Sequence, residues 1–127
     1  MVNRPCIILC NFNEKEIKLL KSYGAMMGLK DQIIVTWKNG NSIIRDILEN
    51  NIDTNSEVGV KDRAIIFNDL PNIKVSMFID NMRKMRIAPA MKAVVTETSI
   101  EWTLDYLLRN LVEERRAEKQ GKVAKHI

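Results

Sequence analysis

The chain repeats itself, and this repeat constrains the fold more than any single motif in the sequence. Ile8-Leu9-Cys10-Asn11 has a counterpart in Ile65-Ile66-Phe67-Asn68. Ile33-Ile34-Val35-Thr36 likewise corresponds to Ala93-Val94-Val95-Thr96, at nearly the same offset along the chain. A stretch with helical periodicity follows each of these runs, in the same order in both halves. The sequence therefore predicts two βαβα halves laid end to end.

The repeated runs are apolar at almost every position instead of alternating with polar residues. Strands of this kind are usually covered on both faces, as in parallel sheets flanked by helices. We expect strands at 6–10, 33–36, 64–67 and 93–96, and helices at about 14–28, 40–50, 72–86 and 99–119. These elements predict an α/β fold: a four-stranded, mainly parallel sheet flanked by helices and built from two βαβα repeats. This pattern leaves two alternatives open: the halves contribute separate pieces of sheet, or an edge strand runs antiparallel.

Three helix starts have recognisable sequence signals. Asn13 and Glu16 come close to a capping box, and Thr98 with Glu101 matches that motif fully. Pro71 precedes the third helix, where proline is well tolerated.

The length of 127 residues, with 46% hydrophobic residues, is typical of one domain. A half of about 55 residues buries only a marginal core by itself, so we expect the halves to share one core. The predicted domain covers 1–127, with halves at about 5–50 and 63–116. A polar connector at 50–59 joins them, and a loose basic tail follows at 117–127.

The net charge of +4 is confined to the end of the chain. Residues 115–127 carry five basic side chains against Glu118, so the preceding body is neutral. A basic charge on a tail alone does not favour nucleic acid as a partner. The sequence also lacks an apolar stretch long enough for a bilayer span and a signal-peptide pattern, so a cytoplasmic location without membrane association is expected.

Catalytic and metal-binding residue types are scarce. Cys6 and Cys10 lie four positions apart on the first predicted strand, too far for a disulfide, and we interpret both as buried apolar residues. The sole histidine, His126, is in the tail. We therefore predict no metal site, no cofactor and no catalytic residues.

Polar residues recur where the predicted strands end. Ligands of parallel sheets bind beyond the carboxyl ends of the strands. The candidate ligand residues at these ends are Asn11, Thr36, Asn68, Asp69, Thr96 and Glu97. Asparagine and threonine also cap helices and close turns, and this structural interpretation is the favoured one.

A second candidate is the segment from Trp37 to Ser42, which enters the predicted second helix. Lys38 and the backbone N–H groups there are a possible phosphate cradle. An Asn39-Gly40 turn followed by a helix cap explains the same residues, and we favour that interpretation.

The last predicted helix has the clearest amphipathic pattern. Its core face is formed by Ile100, Leu104, Leu107, Leu108 and Leu111. Trp102, Tyr106 and Arg109 fall on the opposite side, and these residue types are favoured anchors of protein interfaces. The alternatives are one wall of a small-molecule pocket, or a Trp102 that folds back onto the fourth strand.

The second half resembles a small bacterial family of domains of unknown function, over about residues 64–116. The resemblance rests on Lys92-Ala93-Val94-Val95-Thr96, on Trp102-Thr103-Leu104 and on Glu113-Glu114-Arg115. The family usually has asparagine where this chain has Ser99. It brings no assigned activity, so the resemblance implies a self-contained domain and carries over no catalytic residue.

The sequence does not identify a reaction. It favours a non-catalytic binding or regulatory module that forms a homodimer, or binds a protein partner, through Trp102, Tyr106 and Arg109. The alternative is an enzyme or sensor for a small polar ligand at the strand ends. Nucleic-acid binding through the tail and the basic cluster Arg83, Lys84 and Arg86 is a third, weaker hypothesis.

Overall fold

A computed structural model describes residues 2–87 and 89–119. Strands and helices alternate regularly along the chain. The strands are β1 (Cys6–Cys10), β2 (Gln32–Val35), β3 (Ala64–Asn68) and β4 (Met91–Val94). The helices are α1 (Glu14–Met26), α2 (Ile44–Leu48), α3 (Asn72–Lys84) and α4 (Leu104–Lys119), with 3₁₀ turns at Trp37–Asn39 and Ser99–Glu101.

The four strands form one mixed sheet in the order β2-β1-β3-β4. The outer pairs β1–β2 and β3–β4 are parallel, whereas the central pair β1–β3 is antiparallel. The α/β class and the number of strands are thus as predicted, and the sheet is mostly parallel, but β4 begins and ends two residues before the predicted 93–96. The antiparallel pairing lies at the centre of the sheet and not at an edge.

The two central strands are covered on both faces, which explains why β1 and β3 are apolar at nearly every position, whereas Ile34 on β2 and Val94 on β4 are exposed. Ile7 and Leu9 face α1 and α3, in a core that also contains Leu20, Phe67 and Phe78. On the opposite face, α2 and α4 cover a second core that includes Cys6, Ile8, Cys10, Ile66, Leu104 and Leu108. All five residues of β1 and of β3 are buried. The alternation of side chains along a strand divides them between the two cores.

The helix starts differ partly from the sequence prediction. Asn13 and Glu16 do form a capping box at α1. The predicted box at Thr98 is wrong, because the Thr98 side chain makes no capping hydrogen bond. The predicted helix 99–119 is also interrupted: Trp102 has extended backbone angles, and α4 begins at Leu104. Helix α2 is shorter than predicted because a 3₁₀ turn and a bridge precede it.

That bridge joins the two halves on the α2–α4 face. Ile43 pairs with Thr103 in an antiparallel bridge. The Ile44 N–H donates to the Trp102 carbonyl at 2.9 Å, and the Leu104 N–H donates to the Ser42 carbonyl at 2.8 Å. The segments that enter α2 and α4 therefore exchange reciprocal hydrogen bonds. The halves are joined both through the sheet and through these two helix entries.

Among residues 2–87 and 89–119, none of the helices is long and apolar enough to cross a membrane. His126 and most of the predicted basic tail lie outside the described residues, while 117–119 belong to the end of α4.

Candidate functional site

The antiparallel central pair divides the six predicted ligand residues between opposite ends of the sheet. Asn11 and Thr36 follow β1 and β2 at one end. Asn68, Asp69, Thr96 and Glu97 lie at the carboxyl ends of β3 and β4, at the other end. A single rim shared by all six residues, as expected for a fully parallel sheet, is therefore not formed.

The two threonines serve the turns that follow their strands. Thr36 Oγ1 accepts from the Lys38 N–H at 3.2 Å, and Asn39 Oδ1 accepts from the Thr36 N–H at 2.9 Å. In the second half, Ser99 Oγ accepts from the Thr96 N–H at 2.9 Å, and Thr96 Oγ1 accepts from the Ser99 N–H at 3.0 Å. The side chains of Ser99 and Asn39 thus play the same role, since each accepts from the N–H of the threonine that follows a strand. The favoured interpretation, that these threonines close turns, therefore accounts for both positions.

Asn11 links three segments at the end of β1. Its Oδ1 accepts from the Trp37 N–H at 2.8 Å. Its Nδ2 donates to the carbonyls of Val60 and Asp62, at 3.0 and 2.9 Å. Asn11 itself has a φ of 63°, a left-handed conformation that asparagine tolerates better than most residues. Its side chain therefore positions the turn at Trp37 and the segment around Lys61.

The opposite end of the sheet is organised by Asn68, which is fully buried. Its Nδ2 donates to the carbonyls of Val2 and Arg4, at 3.2 and 3.0 Å. Its Oδ1 has no hydrogen-bond partner among the described residues. Asp69 and Glu97 are exposed. The residues of this end anchor the N-terminal segment and leave two carboxylates facing solvent.

A cleft opens at the carboxyl ends of β1 and β2, and we call it the Trp37 cleft. It has a volume of about 410 Å³ and is lined by Asn11, Phe12, Thr36, Trp37, Lys38 and Lys61. The Nζ atoms of Lys61 and Lys38 lie 5.2 and 5.8 Å from the centroid of the half-buried Trp37 ring. The described lining combines an aromatic surface and two ammonium groups, without a carboxylate. These groups suit a small anion that carries a planar ring.

The backbone of the turn contributes little to this cleft. The N–H groups of Lys38 and Asn39 bond within the turn, and the Gly40 N–H donates to the Trp37 carbonyl at 3.0 Å. The Asn41 N–H donates to Ser56 Oγ at 2.8 Å. Because these donors are already used, the alternative of a backbone phosphate cradle is wrong, and the segment is a turn as favoured. The side chains of Trp37 and Lys38 remain available.

Sequence reasoning missed Lys61 and Phe12. Lys61 lies in the segment after the connector, far along the chain from Trp37. The connector approaches Trp37 closely at Gly59, where a Cβ would lie only 2.9 Å from the Trp37 carbonyl oxygen. A glycine two residues before a lysine, in a polar segment, is the signal that the sequence offers, and it does not indicate which strand end the lysine reaches.

The predicted interface residues have different environments. Trp102 is half-buried and packs against the core beneath α2 and α4. Its ring lies edge-on to Tyr106, with the centroids 4.8 Å apart. Tyr106 is 49% exposed, and Arg109 forms an ion pair with Asp105 at 2.8 Å. Trp102 therefore serves mainly in packing, and the exposed part of this surface consists of Tyr106 and Arg109.

Cys6 and Cys10 are buried with free thiols, as their interpretation as apolar residues predicts. Burial raises the pKa of the Cys6 thiol to about 11, and burial also raises the pKa of Cys10. Both stay protonated at neutral pH, which disfavours their use as nucleophiles. In the part of the chain that the structure describes, no group of three His, Cys, Asp or Glu side chains is arranged to hold a metal ion.

Comparison with known proteins identifies the second half alone. Residues 63–117 match the family model described as Domain of unknown function (DUF3783). This match confirms the predicted resemblance to a family of domains of unknown function over about 64–116. No curated protein and no solved structure matches the chain. The match begins just before β3 and ends within α4, so it covers β3, α3, β4 and most of α4.

Proposed function

We propose that this protein is a non-catalytic binding module whose site is the Trp37 cleft, and that its ligand is a small anion with a planar ring. The observation that carries this proposal is the approach of Lys38 and Lys61 to the Trp37 ring at the edge of a cleft of about 410 Å³. The cleft lies at the carboxyl ends of a parallel strand pair, where α/β proteins usually bind ligands. Its described lining has no carboxylate, histidine or thiol, which favours binding over acid–base or nucleophilic chemistry.

Energetics favour a ring over a bare anion. A cation–π contact at an exposed site is worth about 0.5–1 kcal/mol. Stacking of a nucleic-acid base on an aromatic side chain is worth about 1–3 kcal/mol. A ligand ring that displaces a lysine from the indole therefore loses little. The displaced ammonium group is then available to the ligand's anionic group.

The backbone around the cleft is held by hydrogen bonds within the protein, which supports a site whose backbone is preorganised. Asn11 holds the Trp37 N–H and the carbonyls on both sides of Lys61, at 2.8–3.0 Å. Gly59 allows the connector to approach the Trp37 backbone. A preorganised site loses less conformational entropy on binding, which raises its affinity.

The proposal is tested with adenosine 5′-monophosphate, adenosine and inorganic phosphate, by isothermal titration calorimetry and thermal shift on the full chain. The monophosphate has both the ring and the anion, so it should bind most tightly and raise the melting temperature most. Trp37→Leu should weaken its binding about 10-fold through lost stacking. Lys61→Gln should weaken it about threefold, in a manner that added salt suppresses.

Lys74→Gln is the matched control, because Lys74 is an exposed lysine on α3, away from the cleft. It should bind the monophosphate like the unmodified protein. Equal binding by Trp37→Leu, or an absence of binding by all three compounds, would contradict the proposal.

A second candidate function is self-association through the exposed side of α4. Tyr106 presents half of its surface beside Trp102, and Asp105 and Arg109 lie as an ion pair on the same helix. In a two-fold contact each copy's Arg109 would meet the other copy's Asp105, so the charges complement themselves. A homodimer is the partner that this surface fits.

Light scattering tests this second candidate. The unmodified chain should be a dimer at high concentration, and Tyr106→Ser should shift it towards monomer without a loss of melting temperature. Trp102→Ala is a poorer choice, because Trp102 also packs against the core. A monomer at all concentrations, or a dimer that tolerates Tyr106→Ser, argues against self-association here.

We also propose that the whole chain is a single α/β domain made of two duplicated βαβα halves, 5–50 and 63–116. In the register that aligns Thr36 with Thr96, Ser42 corresponds to Trp102 and Ile44 to Leu104. The reciprocal hydrogen bonds at the two helix entries therefore join equivalent positions of the halves, which supports the duplication.

The two ends of the sheet then differ in charge. In the same register Glu97 occupies the position that corresponds to Trp37, so among residues 2–87 and 89–119 the aromatic surface with its lysines lies at the end of β1 and β2. One ligand per chain is expected.

A further inference from the structure

A second cavity adjoins the Trp37 cleft, and we call it the α4 groove. It has a volume of about 490 Å³ and lies between the segment 59–62 and α4. Its floor is partly apolar, formed by Val60 and Val112, and Lys61, Arg109 and Arg116 are its cationic side chains.

The groove and the cleft share one residue and one wall. Lys61 lines both cavities. Gly59 lines the groove and packs against Trp37, which lines the cleft. The backbone at Gly59 is therefore what separates the two cavities there. A ligand that occupies the cleft therefore has a second cavity directly beside the ammonium group that binds its first phosphate.

The charges of the groove fit a further anionic group. Asp62 is paired with Arg115, and Arg109 with Asp105. No ion pair involves Arg116 among the described residues, and this leaves it as the guanidinium best able to bind a new anion. Of the two carboxylates that line the groove, Asp62 is the one paired with Arg115, so Glu113 is the one that opposes a bound anion. Guanidinium groups bind phosphate oxygens in two-pronged hydrogen bonds, which makes arginine well suited to this role.

We propose that the Trp37 cleft and the α4 groove form one composite site for a nucleoside polyphosphate, with the ring on Trp37, the first phosphate at Lys61 and the outer phosphates at Arg116. The inference rests on the proposed function of the Trp37 cleft. It adds the class of ligand, because a monophosphate fills the cleft and leaves the groove empty.

The test compares adenosine 5′-triphosphate with adenosine 5′-monophosphate on the full chain, by calorimetry at low and at high salt. The triphosphate should bind about 10-fold more tightly at low salt, and high salt should reduce this ratio. Arg116→Gln should lower the triphosphate-to-monophosphate ratio about threefold. Glu113→Gln should raise the ratio, because it removes a like charge from the outer phosphates.

Arg83→Gln, on α3, is the matched control, since Arg83 is 75% exposed and lies outside both cavities; it should leave the ratio unchanged. Two failures are distinguishable. If neither nucleotide binds, the Trp37 cleft itself is not the site. If the monophosphate binds and the ratio is near one, or does not respond to Arg116→Gln and Glu113→Gln, the composite site is overturned and the cleft remains.

Discussion

Asn11 and Asn68 make the same type of contact in opposite directions across the molecule. The Nδ2 of Asn11 donates to the carbonyls of Val60 and Asp62, just before β3. The Nδ2 of Asn68 donates to the carbonyls of Val2 and Arg4, just before β1. Each half therefore holds the chain that leads into the other half's central strand. The two asparagines differ at Oδ1, which accepts from Trp37 in Asn11 and has no partner among the described residues in Asn68.

Replacement of Asn11 by alanine should lower both stability and ligand affinity. The change leaves two carbonyls and one N–H without their partner, and alanine tolerates the left-handed conformation of this position less well than asparagine. We expect the free energy of unfolding to fall by about 2–3 kcal/mol in urea denaturation. Asn11→Gly loses the same hydrogen bonds without the backbone strain, so it should retain about 1 kcal/mol more. Equal stability of the unmodified protein and Asn11→Ala would refute the role of Asn11 as a link between the three segments.

Gly59→Ala should disturb the Trp37 cleft. The added methyl group would lie 2.9 Å from the Trp37 carbonyl oxygen and 3.2 Å from its Cβ, so the connector has to move away. We expect a loss of about 1–3 kcal/mol in the free energy of unfolding, measured by urea denaturation. The affinity for adenosine 5′-monophosphate should fall with it. An unchanged affinity would mean that the close approach at Gly59 does not shape the site.

The two cysteines should report on global opening of the core. Both thiols are buried, and burial raises the pKa of Cys6 to about 11, so the thiolate is scarce at pH 7–8. The reaction with an aromatic disulfide reagent should therefore be slow in buffer and should reach two thiols per chain in urea. Its rate in buffer should rise with a destabilising variant such as Asn11→Ala. Fast labelling of the stable protein would show that β1 is more accessible than its burial indicates.

Arg4 and Asp31 should contribute to stability at neutral pH and lose that contribution in acid. The hydrogen bonds from Arg4 at 2.7 and 2.8 Å lower the pKa of the Asp31 carboxyl. A carboxyl with a depressed pKa stabilises the fold above its unfolded pKa of about 4 and loses this effect as the pH falls through the folded value. Because Asp31 is 43% exposed, the effect should be about 0.2–1 kcal/mol and sensitive to salt.

Asp31→Asn checks this assignment. Its melting temperature should be slightly below that of the unmodified protein at pH 7, and the difference should vanish near pH 2. A difference that is independent of pH would assign the effect to packing instead of charge.

The sequence was informative where local patterns determine local structure. The apolar runs predicted the four strands, and Asn13 with Glu16 predicted the start of α1. The direction of β3 against β1 depends on how the connector returns across the sheet, and no local pattern records that path. The site could not be predicted for the same reason, because the path of the connector is what brings Lys61 to Trp37.

The cap at the second 3₁₀ turn illustrates a different limit. Thr98 and Glu101 match a capping box by residue type, but Thr96 and Ser99 make the hydrogen bonds. Because β4 ends at Val94, it is Thr96 and not Thr98 that lies where the turn can form these hydrogen bonds. Helical spacing placed Trp102 and Tyr106 on one side of the last helix, with packing of Trp102 onto the fourth strand as an alternative, and in the structure Trp102 packs against the core.

The central claim, that the Trp37 cleft binds the ligand, is tested most directly by nuclear magnetic resonance of the two indole N–H groups. The chain has two tryptophans, Trp37 in the cleft and Trp102 beside α4, so each titration has an internal control. On addition of adenosine 5′-monophosphate, the Trp37 indole signal should shift in a saturable way while the Trp102 signal stays in place. A Trp37 signal that does not move, or a saturable shift of Trp102 alone, would contradict the account.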